Sequence, residues 1–191
     1  MSLCSSRYFT HIPTLIKAGA DFTHQDNNGM TVFHIACQYA DLFVILELLE
    51  QLRLAIGTTS LVDSNGNTPL HYFVRRSRIM YGSSSYLIMM ENLMEHGISP
   101  HLTNREGATA LHLLWQSEGK KWIDYCQDED YYLRATELFI NKGLRLVDQD
   151  RLGRIPLDYI QDPNFRSKMI MHAKSQGWEV PDDTLLDTIE T

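Results

Sequence analysis

A nine-residue frame recurs four times along this chain, and no other feature constrains its folding as strongly. The frame reads Asp63-Ser64-Asn65-Gly66-Asn67-Thr68-Pro69-Leu70-His71 and returns with drift from Asp26, from Asn104 and from Asp150. Recurrence of this kind marks an array of like units, each too small to bury its own apolar face and each covered by its neighbours. The four starts lie 37, 41 and 46 residues apart, so the array is irregular in length although its frame is kept.

Each unit can be read from its chemistry. Asp or Asn followed three positions later by Gly is turn chemistry, because the short polar side chain bonds the backbone two residues on and Gly accepts positive φ. Thr31, Thr68 and Thr109 then stand where a helix N-cap belongs, and Pro69 and Pro156 sit at the first helical position, where a missing N–H costs nothing. Upstream of three of the turns lies a second periodic stretch: Ile12, Leu15 and Ile16 before Gly19; Met90, Leu93 and Met94 before Gly97; Thr136, Phe139 and Ile140 before Gly143. Spacings of three and four put these side chains on one helix face, and the glycine suits the position just past the helix end. In all three units exactly ten positions separate this glycine from the turn glycine, as in Gly19 to Gly29.

These residues resemble the ankyrin-repeat family, whose unit is a β-turn followed by two antiparallel helices at a period near 33. The resemblance covers residues 12–177 and implies an all-α solenoid of about four and a half repeats: a partial repeat over 1–25, then repeats from 26, 63, 104 and 150, with an acidic tail over 178–191. Every spacing exceeds the family value. The excess lies between the two helices around 76–85 and 117–132, and in a prolonged second helix near 51–56. In the family this helix–helix turn lies on the edge opposite the turn loops, so insertions there leave the stack intact. Residues 10–18 read as an outer helix with no inner helix before it. Either residues 5–10 are a degenerate cap or the chain is an excerpt of a longer protein. At the far end Asp162-Pro163 restarts a helix carrying Phe165, Met169, Ile170 and Ala173, closed by Gly177.

Composition narrows the function classes. The net charge is −7, and Glu179, Asp182, Asp183, Asp187 and Glu190, with no base among them, lie in the last fourteen residues. That balance speaks against a nucleic-acid backbone as partner. The tail is either a solvated segment or docks Leu185, Leu186 and Ile189 as a short helix on the last repeat. Three cysteines, Cys4, Cys37 and Cys126, make no disulfide framework and suit a reducing compartment, so the chain is expected inside the cell, in the cytoplasm or nucleus. No apolar run is long enough to span a bilayer, and the N-terminus lacks the features of a signal peptide.

The search for reactive chemistry leads to structural roles. His34, His71 and His112 hold equivalent positions, roughly one repeat apart and too distant to share a metal; the resemblance implies that they hydrogen-bond neighbouring loops. Cys37 follows His34 by three residues on a packed helix and reads as a small core residue, since burial raises a thiol's pKa. No phosphate-binding loop or nucleophile elbow occurs. No catalytic residue, cofactor or metal is expected.

Function is then expected at surfaces. The resemblance implies an extended concave face built from turn tips and inner-helix ends, here Asn27, Asn28, Met30, Gln38 and Tyr39; Ser64, Asn65, Asn67, Arg75 and Arg76; Arg105, Glu106, Gln116 and Ser117; and Arg151, Leu152 and Arg154. The five arginines form a stripe suited to an acidic or phosphorylated segment, because guanidinium pairs bidentately with carboxylate and phosphate. The competing reading is ordinary solvated charge. A second candidate surface is the 117–132 insertion, where Trp122 and Tyr125, with Trp115, Tyr131 and Tyr132, either meet a partner or fold back on the neighbouring helices. The expectation is a monomeric protein-binding module. Its alternatives are a regulatory or substrate-recruiting segment of a larger enzyme or channel, and an adaptor effector of a pathogen or virus.

Overall fold

The computed structural model describes residues 11–55, 61–76, 83–116 and 129–181. Within them the chain forms helices α1 (Ile12–Lys17), α2 (Val32–Tyr39), α3 (Leu42–Ala55), α4 (Pro69–Arg75), α5 (Ser83–Glu95), α6 (Ala110–Leu114) and α7 (Glu129–Asn141), a 3-10 helix (Pro156–Tyr159) and α8 (Pro163–Ser175). No strand occurs among the described residues.

Helix boundaries follow local chemistry. Thr31, Thr68 and Thr109 are the extended N-cap residues of α2, α4 and α6, and Pro69 opens α4. Gly19, Gly97, Gly143 and Gly177 follow α1, α5, α7 and α8 with φ between 70° and 91°. At each of these glycines the next amide reaches back to the helix: Ala20 N–H to Leu15 C=O at 3.1 Å, Ile98 to Leu93 at 3.1 Å, Leu144 to Phe139 at 3.2 Å and Trp178 to Ala173 at 2.9 Å. Four identical closures give four identical exits from the outer helix, and after α1, α5 and α7 the chain is delivered to the base of the next turn loop.

The helices stack in two layers. Inner helices α2, α4 and α6 pack in series, α6 then meeting the 3-10 helix, while outer helices α1, α3, α5 and α7 form the second series. Leu70, Leu111 and Leu157, at the same frame position, are fully buried between repeats, as is Phe33. Each such side chain contributes roughly 1.5–3 kcal/mol by leaving water. The core runs as a continuous seam from Phe33 to Ala173 instead of gathering at one centre.

Two elements differ from expectation. The fourth inner helix is a four-residue 3-10 turn, not an α-helix. Ile155 occupies its N-cap and has no oxygen to accept an orphan N–H, and Pro163 follows within eight residues, so the segment is short and starts without the threonine device. The outer helix of the partial repeat spans Ile12–Lys17, shorter than the expected 10–18. The prolonged second helix is present as the fourteen-residue α3. Both other insertions fall between helices, α4 ending at Arg75 before α5 opens at Ser83, and α6 ending at Leu114 before α7 opens at Glu129. Residues 77–82 and 117–128 themselves lie outside the described residues.

Candidate partner-binding face

The turn loops project as fingers, each locked by its first residue. One carboxylate oxygen of Asp63 accepts from the amides of Asn65 and Asn67, both at 2.8 Å, while the Asp63 amide donates to Asn67 C=O at 2.9 Å and the Gly66 amide donates to Asp63 C=O at 2.9 Å. Asp26, Asn104 and Asp150 hold their own fingers in the same way. Burial alone would push the Asp63 and Asp150 carboxyls up, but hydrogen bonds outweigh it, led by Tyr72 for Asp63 and by Tyr159 and Arg154 for Asp150. Both are held below the usual carboxylate range, Asp150 at about 2.

Successive fingers are joined by one backbone bond each. The amide of Ser64 donates to Asn28 C=O at 2.8 Å, that of Arg105 to Asn65 C=O at 2.7 Å, and that of Arg151 to Glu106 C=O at 2.8 Å. Close approach requires the glycines beside these bonds. A Cβ on Gly107 would lie 2.8 Å from the Arg151 amide, and Gly107 has φ +78°.

Beneath the fingers the motif histidines tie each repeat to the next. The Nδ1 atoms of His34, His71 and His112 accept from the amides of Thr31, Thr68 and Thr109 at 3.0, 3.0 and 3.2 Å. An Nδ1 that accepts carries no proton, so Nε2–H is the donor. It reaches Asn67 C=O from His34, Ala108 C=O from His71 and Asp148 C=O from His112, each at 3.1 Å. The rings are buried, and burial lowers all three pKa values, that of His71 to about 4. In the fourth repeat Asp158 stands at this position, and its Oδ2 accepts from the Ile155 amide at 2.8 Å.

Upon this scaffold the expected contact residues separate into three groups. Asn28, Asn65, Arg105 and Arg151 are exposed at finger tips, Tyr39 and Arg75 are exposed in the last turns of α2 and α4, and Met30 and Gln116 are half-buried. Three others are engaged within the stack. Asn67 is buried, its Nδ2 donating to Asp63 at 3.2 Å and its Oδ1 accepting from Asn104 at 3.2 Å. The Arg76 guanidinium donates to the α2 terminal carbonyls of Ala40 at 2.7 Å and Cys37 at 3.4 Å, and lies over the rings of Phe73 and Tyr86. Arg154 pairs with the buried Asp150 carboxylate at 2.7 Å, donates to Tyr159 Oη at 2.8 Å and lies over the Tyr159 ring. Trp122 and Tyr125 lie outside the described residues. Of the neighbouring aromatics, Trp115 and Tyr131 are buried and Trp115 stacks on Tyr132 at 5.2 Å, so these fold back on the helices.

Charge is divided between the two sides of the stack. Arg75, Arg105 and Arg151 are exposed on the finger and inner-helix side together with the finger carboxylates Asp26 and Glu106, whereas α3, α5 and α7 expose Glu47, Glu50, Glu91, Glu95 and Glu137 with Arg134. Sequence reading missed the exposed apolar side chains that follow one another here with Tyr39: Ile35 one turn earlier on α2, and Phe43 and Leu46 on α3, Phe43 being 85% exposed. Their signal was a phenylalanine out of phase with Ile45, Leu48 and Leu49, which are buried on the opposite face.

Among the described residues no three His, Cys, Asp or Glu side chains gather where a metal could sit. Cys37 is fully buried and its thiol is pushed up to about 12 by burial, far from an activated thiolate. No described helix is long and apolar enough to cross a membrane.

Paired helices, stacked in two layers and tied finger to finger, define a helical repeat solenoid. Sequence comparison places it more narrowly: a model of ankyrin repeats in three copies matches residues 1–80, and a single ankyrin-repeat model matches residues 65–105. The chain belongs to the ankyrin-repeat family, whose general role is protein interaction. Relatives include a probable serine/threonine-protein kinase of Dictyostelium discoideum, 33% identical over half of this chain and 9% of the relative. The poly [ADP-ribose] polymerase tankyrase of Caenorhabditis elegans is 30% identical over half of this chain and 5% of its own length. A putative ankyrin repeat protein of Rickettsia felis is 26% identical over 61% of this chain and 46% of its own. The chain thus spans less than half the length of each of these relatives.

Proposed function

We propose that this chain is a non-catalytic binding module that takes an acidic or phosphorylated protein segment along its finger and inner-helix face. The observation that carries the reading is the set of exposed arginines on a protein of net charge −7: Arg75, Arg105 and Arg151 lie on one side, while α3 and α5 expose Glu47, Glu50, Glu91 and Glu95. Arg105 and Arg151 hold equivalent positions on fingers joined in series, so their guanidinium groups face a partner at a fixed interval. Guanidinium pairs with carboxylate and phosphate through two parallel N–H donors, and such groups concentrate interface energy. Exposed Tyr39 and Phe43 offer an apolar anchor at the other end of the same stack. The module works as a monomer inside the cell.

A library of random peptides panned against the chain tests the reading. Enriched peptides should be acidic, and Arg105→Glu with Arg151→Glu should weaken them by at least about tenfold, while melting stays near wild type because exposed substitutions cost within roughly 0.5 kcal/mol. Basic or uncharged enriched peptides, or an unchanged affinity in the double variant, would refute it.

A second reading rests on the length of the relatives. The chain matches 9% and 5% of two proteins named as enzymes, which favours a recruiting segment within a longer enzyme. The mass of the endogenous protein on an immunoblot separates the two readings.

A further inference from the structure

Arg105 and Arg151 differ from the arginines that the chain itself engages. Arg134, Arg145, Arg154 and Arg166 pair in turn with the carboxylates of Asp130, Asp148, Asp150 and Asp158, and Arg76 donates to the carbonyls that end α2. The guanidinium groups of Arg105 and Arg151 are exposed and meet no acceptor among the described residues. Acidic residues outnumber basic ones in this chain, 24 to 17, yet these two cations on neighbouring fingers stay open to an acceptor from outside.

The ladder sets the two side by side. The Arg151 amide donates to Glu106 C=O at 2.8 Å, and Glu106 follows Arg105 in the chain, so one hydrogen bond holds both backbones in register. Backbones joined in this way run about 5 Å apart, within reach of two arginine side chains that share one acceptor. A Cβ on Gly107 would lie 3.0 Å from Cγ of Arg151, so the Arg151 stem runs along the third finger, over a residue that leaves room for it. Glu106, the tip residue between them, is exposed and forms an ion pair with neither among the described residues. Beside Arg151 stands Leu152, 75% exposed at a tip position where the other fingers carry Asn28, Asn65 and Glu106.

We infer that Arg105 and Arg151 together seat one phosphoryl group of a partner protein segment, with an apolar residue next to the phosphorylated one lying on Leu152. This rests on the proposed acidic or phosphorylated partner and takes the second of the two. A carboxylate has two oxygens, and one guanidinium fork occupies both, so a lone carboxylate leaves the other arginine without a partner. A phosphorylated side chain offers three acceptor oxygens and a charge of about −1.5 to −2 at neutral pH, which serves two forks at once. An anionic lipid surface is the poorer occupant, because Asp26 and Glu106 are exposed on the same row of fingers and the chain carries a net charge of −7.

Random peptides built around a fixed phosphoserine, and the same library with glutamate or serine in its place, are panned against the full chain, and enriched peptides are measured by fluorescence anisotropy. Phosphoserine peptides should bind at least about tenfold more tightly than their glutamate counterparts and carry an apolar residue beside the phosphoserine. With one fork left, phosphate and carboxylate are read alike, so Arg105→Ala and Arg151→Ala should each bring phosphoserine down to the level of glutamate. Leu152→Asn should remove the apolar preference alone. Equal affinity for phosphoserine and glutamate, or a phosphoserine preference that survives either alanine variant, overturns the inference and leaves the acidic partner standing. No enrichment from any of the three libraries ends both. Binding to phosphatidylcholine vesicles that carry a phosphoinositide, with no phosphopeptide bound, would assign the two arginines to a lipid headgroup and overturn the inference as well.

Discussion

Arg76 and Arg105 show how differently one residue type is used within a single repeat array. Arg76 follows the last residue of α4, and its guanidinium supplies donors to the carbonyls that end α2, Ala40 and Cys37, which have no intrahelical partner of their own. Burial lowers its pKa, and the rings of Phe73 and Tyr86 beneath it hold the cation in place. Arg105 is exposed, and only its backbone amide serves the ladder. Arg76→Ala is therefore expected to cost about 2 kcal/mol in urea denaturation, the range of a lost hydrogen bond to a charged group, and Arg105→Ala less than about 0.5 kcal/mol. Equal costs would contradict the separation of the two arginines into scaffold and contact surface. The sequence does not show that Arg76 is engaged, because an arginine just past a helix end reads the same whether solvent or a carbonyl from 36 residues earlier receives it.

Between elements, the histidine ties govern how stability responds to pH. Each ring is neutral in the fold, with Nδ1 accepting and Nε2–H donating, and a proton on Nδ1 would face the threonine amide that now donates to it. Burial places the folded pKa below the ordinary value near 6.5, so the unfolded chain binds protons first as pH falls. Stability is complete above about pH 6.5 and declines through the window down to about pH 4, where His71 titrates in the fold. His71 alone contributes roughly 3 kcal/mol to that loss at about 1.4 kcal/mol per pKa unit. Thermal melts between pH 7.5 and 4 should show a continuous fall, flattened when His71 is replaced by Gln; a melting point constant over that window would contradict the ties. These ties were legible in the sequence, since turn, cap and histidine sit within nine residues and each makes its local bond wherever the frame appears. The 3-10 form of the fourth inner helix was not, because it depends on how a segment without a capping oxygen at Ile155 and with Pro163 close behind it settles against α6.

At the scale of the whole molecule, the fold is a series of equivalent contacts, and function is carried by what varies on the repeated frame. Frame positions facing the core repeat in kind, as Leu70, Leu111 and Leu157 do, while second finger positions run Asn27, Ser64, Arg105 and Arg151 and become cationic along the chain. Outer helices α3 and α5 expose Glu47, Glu50, Glu91 and Glu95, so a partner that reads charge meets these helices and the later fingers differently. The measurement that tests this account most directly is the map of NMR amide shifts when an acidic peptide selected by panning is titrated into the full chain. Changes are expected at Arg105, Arg151 and Arg75, along the fingers and the ends of α2 and α4. Changes centred on the outer faces of α3, α5 and α7, with the fingers unmoved, would contradict it.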